Sequence, residues 1–421
     1  MHALLIPFGT AGDVHPFLAV ANALRQRGHR VTVVADSAFE NLIRHEDLEF
    51  ECLSKPEESA DLLHHPDLWH PTRSYPLIFK RLVAPKIKHV FDVIRGIHTP
   101  KQTVVVASNL ALGARVACEK LRMPMVSLYV SPMSLPSYMH PPPLPGINLF
   151  PGRPPAWLKF LFSLADWRVG RLLGPSLHAL CREQALTPPK QIMEWWHSPE
   201  LIIGLFPEWF ACREKAWPSH VQFTGFPLYD TGSSINVPAD LEAFLQSGAP
   251  PIVFMPSSSM AQAGDFLNES VKVCARLGCR GILLTQFPEQ LPADLPDGIR
   301  SFRFVPLSRL LPRSAAIVHQ AGIGTIALSL AAGTPQLAVP MGMDQHANAE
   351  RLIKLGAGIV VKAKHYRVDR VATLLKELTT SDSIRRACQG ASKRFVNSHP
   401  SEDACDLIEG VFKKHTGIAA V

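Results

Sequence analysis

Short apolar runs alternate with segments of helical spacing along most of this 421-residue chain. Residues 3–8 (Ala-Leu-Leu-Ile-Pro-Phe) read as a buried strand, 9–12 as a glycine turn and 16–27 as a helix closed by Gly28-His29. The next strand covers 31–35 and ends at Asp36; further strands are predicted over 104–107 and 125–130, with a helix over 110–121 between them. A second series begins at 252–255 and continues through 281–285, 301–304, 316–319 and 336–340, with a closing helix over 403–414. Apolar strands separated by helices predict parallel sheets covered on both faces, so the expected class is α/β. Residues 231–238 (Thr-Gly-Ser-Ser-Ile-Asn-Val-Pro) read as a linker, which sets expected domains at 1–230 and 239–400 and a helical tail at 401–421.

Two stretches break this rhythm. Residues 132–155 hold nine prolines, a density that neither a helix nor a central strand tolerates, and predict a long loop serving as a lid or binding wall. The helix expected over 157–173 is rich in bulky apolar groups, among them Trp157, Phe160, Phe162 and Trp167, interrupted by Lys159, Arg168 and Arg171. Core packing, an apolar acceptor channel and a membrane-surface contact all suit it.

Composition narrows the classes. A hydrophobic fraction of 47% and a charged fraction of 19% belong to a globular protein with sizeable cores. The net charge of +7 favours anionic partners, yet the basic residues are dispersed and no RNA- or DNA-reading signature accompanies them, so nucleic acid is not an expected partner. Eight scattered cysteines without a CxxC offer neither a disulfide framework nor a zinc site, and point to a reducing cytoplasm. No apolar run reaches 18 residues.

Candidate chemistry concentrates after three strands. In Val318-His319-Gln320-Ala321-Gly322-Ile323-Gly324-Thr325 an apolar strand enters a glycine turn and then a helix, whose first amides and positive dipole end suit a phosphate. Gly322 and Gly324 allow close approach, Thr325 adds a hydroxyl, and His319 is a candidate charge-assisted donor or a buried histidine satisfied by the backbone. Ser257-Ser258-Ser259 follows another strand and faces the same crevice, with Ser258 and Ser259 as diphosphate candidates. Asp344 and Gln345 lie past the strand at 336–340, an acid and an amide suited to sugar hydroxyls, although Asp344 also suits a helix cap.

Gly9-Thr10-Ala11-Gly12-Asp13 is a poor dinucleotide fingerprint, although Asp36 mimics its ribose acid and keeps an oxidoreductase open. Asp13 is either a helix-capping aspartate or a base for an acceptor hydroxyl, with His15 as a second candidate. Ser108 or Asn109, at another strand end, is placed to orient the base. No DxD occurs anywhere, so no metal is expected and a helix amino terminus must neutralise a leaving diphosphate.

These residues resemble the UDP-glycosyltransferase family of nucleotide-sugar glycosyltransferases. The signature runs from Phe304-Val305-Pro306-Leu307 to Asp344-Gln345, and Gly9-Thr10-Ala11-Gly12-Asp13-Val14-His15-Pro16 is similar to the bacterial amino-terminal motif. The resemblance implies the GT-B fold: two facing Rossmann-like domains with parallel sheets, a deep interdomain cleft, and a carboxyl-terminal helix packing back on the first domain. It also implies Asp13 as catalytic base, Phe304, Val305 and Leu307 around the nucleoside, and acceptor contacts at Ser108, Ser131, His140 and Trp157.

Within the family, 1–6, 27–31, 224–228 and 348–352 are similar to the rhamnosyltransferases of rhamnolipid synthesis. That implies a dTDP- or UDP-sugar donor, a hydroxy fatty acyl acceptor, no cofactor, and association with the inner face of the cytoplasmic membrane or with an acceptor synthase. Met255-Pro256-Ser257-Ser258 replaces the usual Gly-Ser turn and Ala321 stands where a glycine is usual, which leaves rhamnose and glucose both open. The rival readings are a polyketide, sterol or flavonoid glycosyltransferase, a nucleotide-sugar epimerase and a non-catalytic sugar-nucleotide binding subunit.

Overall fold

The computed structural model describes residues 1–54, 62, 65–70, 73–137, 155–230, 237–256 and 263–417. The chain divides into two compact units, Met1–Pro227 with His399–Val421, and Leu228–Ser398.

The first unit is built on seven strands: β1 (His2–Ile6), β2 (Arg30–Asp36), β3 (Glu49–Ser54), β4 (Thr103–Ala107), β5 (Met125–Tyr129), β6 (Leu201–Gly204) and β7 (Val221–Phe223). They lie in the order β3-β2-β1-β4-β5-β6-β7 and every pair is parallel. β1, β4 and β5 are buried along their whole length, as sheet strands covered on both faces must be. Helices Ala84–Ile97, Leu112–Leu121 and Pro155–Glu183 cover one face through Val90, Phe91, Ile94, Val116, Leu173 and Leu177. A Cβ at Gly113 would strike the Ile87 carbonyl, so this glycine sets how closely the first two helices approach.

The last helix, Pro400–Thr416, belongs to this unit and buries Ala404, Cys405 and Ile408. Arg27, just past helix Ala11–Gln26, ties it down. Its Nε donates to Glu402 Oε2 at 2.8 Å, Nη1 to Asp406 Oδ1 at 2.6 Å and Glu409 Oε1 at 3.2 Å, and Nη2 to the Glu402 carbonyl at 3.1 Å. His29 adds a bond to Glu409 at 3.0 Å. Burial alone would raise the Glu409 carboxyl, but the bonds from His29 and Arg27 outweigh it and hold it below the usual carboxylate range.

Six strands form the second unit's sheet: β8 (Ile252–Met255), β9 (Gly281–Leu284), β10 (Ile299–Phe302), β11 (Ala316–His319), β12 (Gln336–Ala338) and β13 (Gly358–Val360). Their order is β10-β9-β8-β11-β12-β13, again all parallel. The strand expected at 301–304 sits two residues earlier, because β10 pairs Ile299 with Gly281 and runs out of partner at Phe302–Leu284. In both sheets the order reverses once, at β1/β4 and at β8/β11, and the carboxyl ends at such a reversal open the crevice where α/β sheets hold ligands.

Most of the proline-rich stretch and of the 231–238 linker lies outside the described residues; of the former, Pro132–Ser134 forms a 3-10 turn. The helix expected over 157–173 runs from Pro155 to Glu183. Among the described residues no helix is long and apolar enough to cross a membrane.

Candidate active site

At the first sheet's reversal, β1 ends in Pro7-Phe8-Gly9 and helix Ala11–Gln26 opens at Thr10. Gly9 has φ 137, and a Cβ there would land on the Asp13 carboxylate. Asp13, at the third helical position, reaches back so that Oδ2 accepts from the Thr10 amide at 2.8 Å and from the Thr10 hydroxyl at 3.3 Å. This is the acid arm of a capping box, and it fixes a half-exposed carboxylate at the carboxyl edge of the sheet. The side chain that caps the helix is thus also the candidate base. His15 lies half-buried two residues on.

Ser108 follows β4. Its amide donates to the Ile6 carbonyl at 3.1 Å, locking the ends of β1 and β4 together, and its hydroxyl accepts from the Leu110 amide at 3.4 Å. Ser131, just past β5, is buried with its hydroxyl unpartnered. Trp157 is half-buried and lies 5.9 Å from the Phe160 ring. His140 lies outside the described residues, as do Ser258 and Ser259.

In the second unit β11 ends at His319, which is fully buried. Its Nε2 donates to Gln336 Oε1 on β12 at 3.0 Å, and its Nδ1 accepts from the Ala321 amide at 3.1 Å. Burial lowers the imidazole to about 4, against a smaller opposing effect of the Gln336 bond. Both ring nitrogens are committed and the ring is neutral, so a charged diphosphate donor does not fit this environment. His319 instead braces the turn that follows.

That turn passes through Ala321 at φ 68, a left-handed conformation in a non-glycine residue, and reaches Gly322 as the cap of helix Ile323–Ala332. The Gln320 side-chain amide, with its nitrogen facing β8, donates to the Pro256 carbonyl and to the Met255 carbonyl at 3.3 Å, tying the turn across the reversal. Gly322, Gly324 and Thr325 are partly exposed at the opening of the helix.

The next turn, after β12, also passes through a left-handed residue, Met343 at φ 54. Gln345 Oε1 accepts from the Met341 and Gly342 amides at 2.8 and 3.1 Å, so its carbonyl end closes the turn. Asp344 occupies the cap position of helix Gln345–Lys354 but makes no cap bond with its side chain. Its Oδ2 accepts from Asn348 Nδ2 at 2.8 Å, and the same nitrogen lies 3.2 Å from the Ala321 carbonyl. Asn348 thus joins the two turns. Four residues past Asp344 it shares a helix face with it, which is the one sequence signal that could have found it. Gln320 and Gln336 carried no such signal.

The three nucleoside candidates separate. Phe304 is 42% exposed, whereas Val305 and Leu307 are buried in a core with Ile282, Leu310 and Ile317. Phe304 offers an open ring face for stacking, whereas Val305 and Leu307 direct most of their side-chain surface into the core.

Two parallel-sheet Rossmann-like units with turns of this kind define the GT-B architecture. A glycosyltransferase of kitacinnamycin has the same fold, with a TM-score of 0.73 at 18% identity over 98% of this chain and 99% of that one. Residues 3–136 match the glycosyltransferase family 28 N-terminal domain, and residues 282–409 match the erythromycin biosynthesis protein CIII-like C-terminal domain. An O-mycaminosyltylonolide 6-deoxyallosyltransferase of Streptomyces fradiae is 25% identical over 97% of each chain. A sterol 3-beta-glucosyltransferase of Arabidopsis thaliana is 24% identical over 95% of this chain and 66% of its own. The chain has the GT-B fold, carries a glycosyltransferase domain match in each half, and is an enzyme that transfers sugar.

Proposed function

We propose that the enzyme moves rhamnose or glucose, with inversion and without a metal, from a dTDP- or UDP-sugar to the hydroxyl of a 3-hydroxyalkanoyloxyalkanoate-type lipid. One observation carries the donor half: the pair of turns after β11 and β12 joined by Asn348, one opening a helix at Gly322 and the other presenting Asp344. Helix amides at Gly322, Gly324 and Thr325 receive the diphosphate and stabilise the charge that grows on it as the sugar departs. His319 acts by holding Ala321, Asp344 and the amino end of Gln345 meet the sugar hydroxyls, and Phe304 carries the base.

Asp13 takes the proton from the acceptor oxygen, which attacks the anomeric carbon from the face opposite the diphosphate. The Thr10 bonds aim the carboxylate at the opening of the helix. A lipid acceptor and a peripheral membrane position are supported by helix Pro155–Glu183. Phe160 and Trp167 there are 58% and 56% exposed, seven residues apart on one face, beside Lys159, Arg168 and Arg171. The names of the relatives favour a second reading, a sterol or macrolide-type aglycone in place of the lipid.

Asp13→Asn tests the mechanism. Turnover falls by about 10²–10⁴-fold while donor affinity holds near wild type, and unchanged turnover removes the base. Mass spectrometry of products from mixed nucleotide sugars with hydroxyacyl lipids or with sterol and polyketide aglycones separates the acceptor readings.

A further inference from the structure

Two cysteines meet at the carboxyl end of helix Gly264–Leu277. Gly278 ends the helix at φ 59, and the Cys279 amide donates back to the Cys274 carbonyl at 3.1 Å. This is the Schellman arrangement, whose closing bond brings the side chains at its two ends into contact. Here both ends of the motif are cysteines, and each thiol perturbs the other. Cys274 is buried, its sulfur lodged against Gly281 of β9, where an added Cβ would sit 2.8 Å away; Cys279 is partly exposed.

We propose that Cys274 and Cys279 form a reversible disulfide, a modification site on the amino-end rim of the second sheet. One backbone hydrogen bond of 3.1 Å links the two residues directly, and a disulfide demands such closeness of its two Cα atoms. The two thiols differ: the neighbouring Cys274 lowers the Cys279 thiol, while Cys279 and burial raise Cys274. Cys279, lower and more accessible, is the nucleophile. Its thiolate attacks a low-molecular-weight disulfide such as oxidised glutathione, forming a mixed disulfide and expelling one glutathione thiolate. Cys274 gives its proton to solvent and attacks the Cys279 sulfur, releasing the second glutathione. The two protein thiols are oxidised and one glutathione disulfide is reduced to two thiols. The pair precedes β9, whereas the Gln320–Thr325 turn follows the carboxyl end of β11, so donor affinity is unchanged by oxidation. The inference is independent of the acceptor and sugar assigned above.

The test incubates the full-length protein with oxidised glutathione, alkylates the remaining thiols and digests with trypsin. Lys272, Arg276 and Arg280 place the cysteines in separate peptides, 273–276 and 277–280. The expected product is these two peptides joined and lighter by two hydrogens. Cys274→Ser stops instead at a glutathione adduct on 277–280, and Cys279→Ser leaves 273–276 fully alkylated after denaturation. Wild-type protein that stops at the glutathione adduct, or keeps both thiols alkylatable, overturns the proposal.

Discussion

Replacing His319 by Asn separates a neutral brace from a charged donor. The folded imidazole titrates at about 4 and the unfolded one near its ordinary 6.5, so between those values the unfolded chain binds more protons. Stability therefore rises with pH through that window; it is complete above about 6.5 and lost as pH falls towards 4. Two-state linkage puts the loss at about 2 kcal/mol between pH 7 and pH 5. The variant has no imidazole at 319 and lacks this component. Its carboxamide keeps an acceptor for the Ala321 amide but abandons Gln336, whose Nε2 is already buried without a partner, at a fixed cost of about 2 kcal/mol. His197, also lowered to about 4 chiefly by burial, contributes in the same window but in the first unit. Urea titration read by hydrogen exchange resolves the two units, with the peptide around Ile317 reporting on β11. Equal pH losses in wild type and variant, or a His319 resonance titrating near 6.5, refute the reasoning.

Gly9→Ala forces the Asp13 carboxylate from its position and places alanine at φ 137, so turnover falls with that of Asp13→Asn and stability drops by roughly 1–3 kcal/mol; wild-type kinetics in this variant would show that Asp13 needs no fixed orientation. Ala321→Val sets a β-branched side chain in a buried left-handed position and costs roughly 2–4 kcal/mol with weakened donor binding, while Ala321→Gly stays within about 1 kcal/mol of wild type by thermal melting. Arg27→Ala removes the shared partner of Glu402, Asp406 and Glu409; because Glu402 and Asp406 are well exposed, the loss is about 1–3 kcal/mol. It appears first as faster amide exchange in 400–416, and protection equal to wild type there counts against the anchoring role.

Most central strands were legible because burial on both faces leaves an unbroken apolar run: β1, β4, β5, β8 and β11 lie where such runs were read, whereas β6, four residues long and equally buried, was not. β3 and β7, at one edge each of the first sheet, were not, since β3 is buried only at its last two residues and β7 has three residues in all. Their pairing decides them, and pairing is not written locally. The same divide runs through the site. Strand, turn and helix around Gly322 and Asp344 follow from local spacing. That His319 is neutral, that Val305 and Leu307 face a core and that Asn348 joins two turns depend on distant segments. The sequence by itself determined where backbone turns at strand ends expose amides and acids, because period and glycine placement act over a few residues. Only the tertiary structure decided which of those groups are already spoken for, because desolvation and hydrogen-bond partners come from neighbouring strands far along the chain.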